Sequence, residues 1–248
     1  MSLLSIIQGV ALRCNYGGPA TVTAAFSNTD PAIQLMVACA QDAGDDAVDR
    51  VDWAALKQQA PVSFTGDGTT PAFALPSGFR RLSPSDTFIS SLYPTLKMPG
   101  PVNEDDLLAM KALPVWAQPS VWRQVTYNGQ PAIEFYPVLA SGETATYYYA
   151  SNNWIAQANG TLYVPPKWAS DTDYPLIPER VVLFGSVWRW KQAKGFDYSE
   201  AMATAEGVLD RLSAQEKTGR IIHMSRTFDF DNSTWFPGTI QDLTDDTY

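Results

Sequence analysis

The sequence predicts an α+β fold: a helical bundle built from the N-terminal and C-terminal helices, with a β-rich domain inserted between them and a C-terminal docking tail. Three observations carry this. Apolar residues recur at helical spacing at both ends of the chain. From about residue 60 to 170 the chain is rich in Pro, Gly, Thr, Tyr and Trp, the chemistry of strands and turns. No alternation of strand and helix runs through the chain, which argues against a parallel, doubly wound sheet. The expected divisions are 1–59 for the N-terminal helices, 60–170 for the inserted β-rich domain with one helix, 171–218 for the C-terminal helices and 219–248 for the tail.

The first helix is expected over residues 2–14, where Leu3, Ile6, Ile7, Val10 and Cys14 recur at helical spacing and Asn15-Tyr16-Gly17-Gly18-Pro19 stops it. Thr29 or Asp30 caps a second helix, with Pro31 at its first position. Its apolar stripe is Ile33, Met36, Val37, Ala40, Ala47, Val48 and Val51. Asp42, Asp45, Asp46 and Asp49 take the other faces, and a continuation past Asp52 carries Trp53 to Leu56.

In the middle region, Val62-Ser63-Phe64 and Phe73-Ala74-Leu75 read as short strands beside the turns Gly66-Asp67-Gly68 and Pro76-Ser77-Gly78. One helix interrupts, capped by Asn103, its acidic first turn Glu104-Asp105-Asp106 suiting the helix dipole. Trp122–Tyr127 and Ala132–Tyr136 flank Asn128-Gly129, the favoured type I′ hairpin pair. Thr144–Ala150 is expected as one further strand.

Helices return after Pro178. Glu179–Lys194 is apolar nearly all round its first three turns, the mark of a helix buried on most sides in a core or an interface, and Gly195 closes it. Ser199 opens the last helix, with Met202, Ala205, Leu209 and Leu212 as its stripe. Beyond Gly219, apolar residues including Ile221, Phe228, Phe230, Trp235, Phe236 and Leu243 are set among polar ones without a period, as expected of a segment that docks on something.

Composition limits the chemistry. The chain of 248 residues has 17 Lys and Arg against 26 Asp and Glu, a net charge of −9, which argues against a free-standing nucleic-acid binder. No run of about 18 apolar residues exists to span a membrane, and no basic flank precedes the apolar N-terminus as in a signal peptide. Cys14, Cys39 and His223 are the only thiols and imidazole, too few for a structural zinc site. Both cysteines read as small buried hydrophobes; a disulfide between them is possible but not implied. No nucleophile elbow accompanies His223, and no cofactor is expected. Gly66-Asp67-Gly68 lacks the lysine of a phosphate loop. Glu104-Asp105-Asp106 and Asp229 with Asp231 are better explained as a helix start and a tail than as catalytic or metal-binding carboxylates. Asn159-Gly160-Thr161 and Asn232-Ser233-Thr234 match the glycosylation sequon by chance. Trp, Tyr and Phe number 8, 11 and 11. Those of the β region (Trp116, Trp122, Tyr147, Tyr148, Tyr149, Trp154, Tyr163, Trp168) divide between core, protein interface and a ligand face that would stack on sugars.

One stretch carries a resemblance. Asp171-Thr172-Asp173-Tyr174-Pro175-Leu176-Ile177-Pro178-Glu179-Arg180, followed by Trp188-Arg189-Trp190-Lys191-Gln192-Ala193-Lys194-Gly195-Phe196-Asp197-Tyr198, is similar to the head-to-tail adaptor (connector, or head-completion) proteins of tailed bacteriophages, the short-tailed type in particular. The N-terminal MSLLSIIQGV, Asp30-Pro31, Asp52-Trp53, and Tyr147-Tyr148-Tyr149-Ala150-Ser151-Asn152 before Trp154 agree, so the resemblance spans about residues 1–218. It implies a structural, non-enzymatic protein of the virion's head–tail junction, or neck, made in the host cytoplasm. Its partners would be the portal protein, a tail nozzle or other tail protein, and its own copies in a ring, typically of twelve. DNA would pass through the channel during packaging and ejection without specific binding, and no membrane is involved. Arg180, Trp188, Trp190, Phe228, Phe230, Trp235 and Phe236 are the expected interface residues toward portal or neighbouring subunit. Two other readings are a carbohydrate- or receptor-binding β module of a phage tail, resting on the aromatics, and an enzyme with paired carboxylates such as a cell-wall hydrolase.

Overall fold

The computed structural model describes residues 2–16, 22–57, 61–82, 88–112 and 120–218. The chain divides into two units, Met1–Glu216 and Lys217–Tyr248. The account below concerns the first, together with the last helical residues Lys217 and Thr218. Trp116, His223, Asp229, Asp231, the Asn232 sequon and the tail aromatics lie outside the described residues.

The chain is α+β. Its helices are α1 (Leu3–Arg13), α2 (Pro31–Arg50), α3 (Glu104–Ala112), α4 (Glu179–Ala193) and α5 (Ser199–Thr218). The strands are β1 (Val62–Thr65), β2 (Ala72–Ala74), β3 (Phe79–Leu82), β4 (Ile89–Ser90), β5 (Val121–Tyr127), β6 (Gln130–Tyr136), β7 (Thr144–Tyr147), β8 (Tyr149–Ser151), β9 (Ile155–Ala156) and β10 (Tyr174–Pro175). They form small antiparallel sheets in the orders β1-β7-β4, β2-β6-β5, β3-β8 and β9-β10.

The local chemistry expected of α2 is present: Asp30 Oδ1 accepts the Ala32 N–H at 2.9 Å, and Pro31 needs no partner. The helix ends at Arg50, earlier than a continuous run through Leu56 would require. Val51 is extended (φ −129°, ψ 143°), and Ala54–Leu56 forms a separate 3₁₀ turn. The Arg80 guanidinium donates to the carbonyls of Asp49 and Val51, so β3 holds the carbonyls that the helix end leaves unpaired. In the hairpin, Asn128 (φ 51°) and Gly129 (φ 75°) adopt the left-handed conformations of a type I′ turn, and β5 pairs with β6 along all seven residues.

The strand expected over 144–150 is instead two. Tyr147 and Tyr149 point inward at 1% and 7% exposure, but the partner changes between them: β7 pairs with β1 and β4, β8 with β3. The inward-outward pattern continues through Tyr148 while the ladder changes hands. The α5 stripe is also rotated from expectation. Ala205, Val208 and Leu209 are buried with Ala201 and Leu212 beside them, whereas Met202 is 39% exposed.

Two apolar cores result. The first joins α1, α2, α4 and α5 to Trp53, Leu56, Trp154, Ile155, Trp168 and Ile177. The second fills the strands around Phe88, whose ring lies within 5.0–6.1 Å of Phe64, Trp122, Phe135 and Tyr147. Of the aromatics set aside for a sugar platform, Trp122, Tyr147, Tyr149, Trp154 and Trp168 are buried in these cores, Tyr163 is half-buried and Tyr148 is exposed.

Candidate interaction surface

Helix α4 joins the helical core on one side and carries rings beside arginines on the other. Its inner side is made for close approach. A Cβ on Gly185 would come within 2.8 Å of Ala43 Cβ, so α2 packs directly on the α4 backbone. Val182 and Ser186 are fully buried, the Ser186 hydroxyl donating to the Val182 carbonyl at 2.5 Å. At the edge of this contact Arg189 Nη2 reaches Asp46 Oδ2 at 3.1 Å, and Asp46 also faces Arg50 at 3.5 Å.

The outer side of α4 carries Arg180, Phe184 and Trp188 at i, i+4 and i+8, one face of a helix. Arg180 is exposed, while Phe184 and Trp188 are half-buried. Each ring lies against a guanidinium: Arg13 at the end of α1 lies 5.2 Å from the Phe184 centroid, and Arg189 lies 4.4 Å from that of Trp188. A groove of about 250 Å³ separates α1 from α4, lined by Ile6, Gly9, Arg13, Arg180, Leu183 and Phe184 among others. Gly9 lets α1 come close to α4 along this groove, since a Cβ there would lie 2.9 Å from Leu183 Cδ1.

The C-terminal corner of α4 extends the surface. The Gly195 N–H donates to Gln192 O at 3.0 Å and the Phe196 N–H to Lys191 O at 2.9 Å, with Gly195 at φ 74°: a Schellman closure. It sets Phe196, 57% exposed, against Trp190 at 5.9 Å and brings Tyr198 to 6.3 Å from Trp188. Asp197 accepts the Ser199 N–H and hydroxyl, which holds its carboxyl below the usual range and starts α5. Tyr16 donates to Asp30 Oδ2 at 2.6 Å, lowering the Asp30 carboxyl.

The expected interface residues thus take different places. Arg180 and Trp188 share the outer face of α4. Trp190 is 4% exposed, inside the helical core between Tyr16 and Phe196, and packs within its own chain. Phe228, Phe230, Trp235 and Phe236 lie outside the described residues. Phe184, Arg13 and Arg189 belong to the same surface. The spacing 180, 184, 188 could have shown Phe184 in the sequence; Arg13 depends on the packing of α1 on α4, which spacing does not encode.

Other groups that could act chemically are engaged structurally. Asp67 accepts from the Thr69 and Thr70 N–H groups and the Thr70 hydroxyl, so Gly66-Asp67-Gly68 is a turn and the Asp67 carboxyl is held far below its ordinary value. Asn103 Oδ1 accepts the Asp106 N–H at 2.7 Å at the start of α3. Buried Glu143 accepts from Ser90 Oγ and the Ala140 N–H, and buried Asp173 from Tyr163 and the N–H groups of Ala169 and Ser170. Among the described residues no group of three or more His, Cys, Asp or Glu is placed to hold a metal ion, and no helix is long and apolar enough to cross a membrane.

These features define an α+β protein in which α1 and α4 carry rings and guanidiniums on one face. The family model of the SU10 adaptor protein matches residues 1–226, and the chain belongs to this family. It is therefore a bacteriophage adaptor, a structural protein. No match was found among curated proteins.

Proposed function

We propose that the chain is the subunit of a ring, typically of twelve copies, that joins the portal at the capsid vertex to the tail of a short-tailed phage and forms part of the DNA channel. The observation that carries this is the family match over residues 1–226. The combination of arginines with half-buried rings on the outer side of α4 supports it, because Trp, Tyr and Arg dominate the energetics of protein contacts. A net charge of −9 per copy suits a channel through which DNA slides without being gripped, since a negative wall repels phosphate.

The test is assembly. The full chain mixed with the portal protein of the same phage, followed by native mass spectrometry and electron microscopy, should give a larger complex with a ring of this chain on the portal. Absence of any complex at micromolar concentrations would sink the reading. Removing residues 219–248 should weaken assembly while leaving the fold, if the apolar tail is a docking segment.

A further inference from the structure

The groove between α1 and α4 is cationic in a chain that is negative overall. Arg13 and Arg180 line it with Ile6, Leu183 and Phe184, and Glu179 is the one carboxylate of the lining. Lys191, turned only about 20° from Arg180 around the helix, continues the same face of α4. Arg180 is exposed, and its guanidinium makes no hydrogen bond or ion pair among the described residues. At about 250 Å³ the groove takes one or two side chains rather than a helix. Helix α2 runs antiparallel to α4, since Tyr16 bonds Asp30 at the start of α2 and packs on Trp190 near the end of α4. In an antiparallel pair, faces turned the same way from the shared contact lie on one side. The exposed Asp42, Asp45 and Asp49 of α2 therefore flank the outer face of α4, and their repulsion confines an acidic ligand to the α1 side.

The sequence beyond α5 holds a segment of matching chemistry. From Thr227 to Tyr248 it has five Asp and no Lys or Arg. In Phe228-Asp229-Phe230-Asp231 rings and carboxylates are interleaved, as rings and cations are in Arg180, Phe184, Trp188 and Lys191. We propose that residues 228–231 of one copy seat on the α1–α4 groove of a second copy, a phenylalanine ring entering the groove and the carboxylates meeting Arg180 and Arg13. This rests on the ring reading and names the contact that would close the ring. Glu216 accepts the Ala54 N–H at 2.9 Å, which ties down the last turns of α5, and the chain from Thr218 to Asp229 spans up to about 40 Å, enough to cross to an adjacent copy. A segment of one copy on a groove of the next pairs two different surfaces, so the contact is head-to-tail and repeats around an axis. Copies of net charge −9 repel one another at long range, so an acidic segment that meets a cationic groove selects which surfaces come together. Arg13 already lies on the Phe184 ring and is held in place before the partner arrives.

The full chain is tested by sedimentation velocity and native mass spectrometry, alone over a concentration series and with the portal protein. Arg180→Glu and, separately, Asp229→Lys with Asp231→Lys should each weaken association between copies by about tenfold or more. Mixing the two kinds of copy should recover most of the loss, because each groove then meets a segment of opposite charge on the other kind of copy; a contact within one chain gains nothing from mixing. Arg180→Gln should give a smaller loss in the same direction, and circular dichroism should be unchanged throughout. Wild-type association by the separate reversals overturns this contact and leaves the ring. Loss without recovery on mixing also overturns it, as does a reversal that weakens only binding to the portal, which assigns 228–231 to the portal instead. A wild-type chain that stays monomeric under every condition overturns ring and contact together.

Discussion

Gly44 and Trp154 meet backbone to ring: a Cβ on residue 44 would lie 2.1 Å from Trp154 Cη2 and within 2.6 Å of two further ring atoms. The indole also donates to Asp45 Oδ1 and stands edge-on to Trp168 at 5.3 Å, so it is held on three sides. The contact fixes the segment before β9 to the middle of α2.

Gly44→Ala should therefore destabilise the protein although it adds a better helix former. Alanine contributes about 1 kcal/mol over glycine within a helix. Overpacking against a ring that cannot retreat costs about 1–3 kcal/mol, with the larger end expected where three ring atoms clash. A lowered urea midpoint with unchanged slope checks this. Equal or greater stability in the variant would show that Trp154 moves aside.

Gly129→Ala tests a different cause at a similar cost. Nothing lies within 4 Å of a Cβ built there, so no clash arises; the backbone is at φ 75°, where an L-residue loses about 1 kcal/mol. The hairpin register should survive because β5 and β6 pair along seven residues, and a backbone NMR spectrum should change only around the turn while the unfolding midpoint falls slightly.

These two glycines also mark what the sequence discloses. Gly129 follows Asn128 in a pattern whose turn type is local, so its role is readable from two residues. Gly44 looks like a weak position in an amphipathic helix, because its reason is a tryptophan 110 positions away. The same division holds for the surface. The apolar wrap of Glu179–Lys194 pointed to α4 as a contact helix, and Arg180 with Trp188 lie on one face of it. Trp190 looked equivalent to Trp188 two residues earlier, but a two-residue step turns a helix by about 200°, and that step carries it into the core. The change of partner at Tyr148 and the rotation of α5 were hidden because inward-outward alternation sets the side a residue faces, not the strand or ion pair that receives it.

The ion pair that receives α5 has a defined pH dependence. Arg50 Nη1 and Nη2 donate to Glu206 Oε1 and Oε2 at 2.8 and 2.5 Å, and this hydrogen bonding holds the Glu206 carboxyl below its ordinary value near 4.5. A lowered folded-state value means stabilisation that is present above the ordinary value and lost as pH falls through the folded one. With side chains 41% and 35% exposed, the pair contributes about 0.5–1 kcal/mol. Arg50→Ala should lower the unfolding free energy at pH 7 by about 0.5–1 kcal/mol, and the difference from wild type should shrink below about pH 4. A difference independent of pH would attribute the loss to packing of the arginine stem instead.

The cysteines give the last expectation. Cys14 and Cys39 are free thiols, half-buried and buried, and desolvation pushes each up to about 11 against an ordinary value of 9.0. For Cys14 the nearby Lys191 ammonium opposes the shift without cancelling it. Only the thiolate attacks a disulfide reagent, so a rise of two units lowers the reactive fraction at pH 8 by about a hundredfold. The folded chain should therefore react slowly with an aromatic disulfide at pH 8, and both thiols should react at the ordinary rate once guanidinium unfolds it. Rapid reaction of one thiol in the folded chain would mean that its part of the helical core, Cys14 at the end of α1 or Cys39 within α2, opens far more often than its packing predicts.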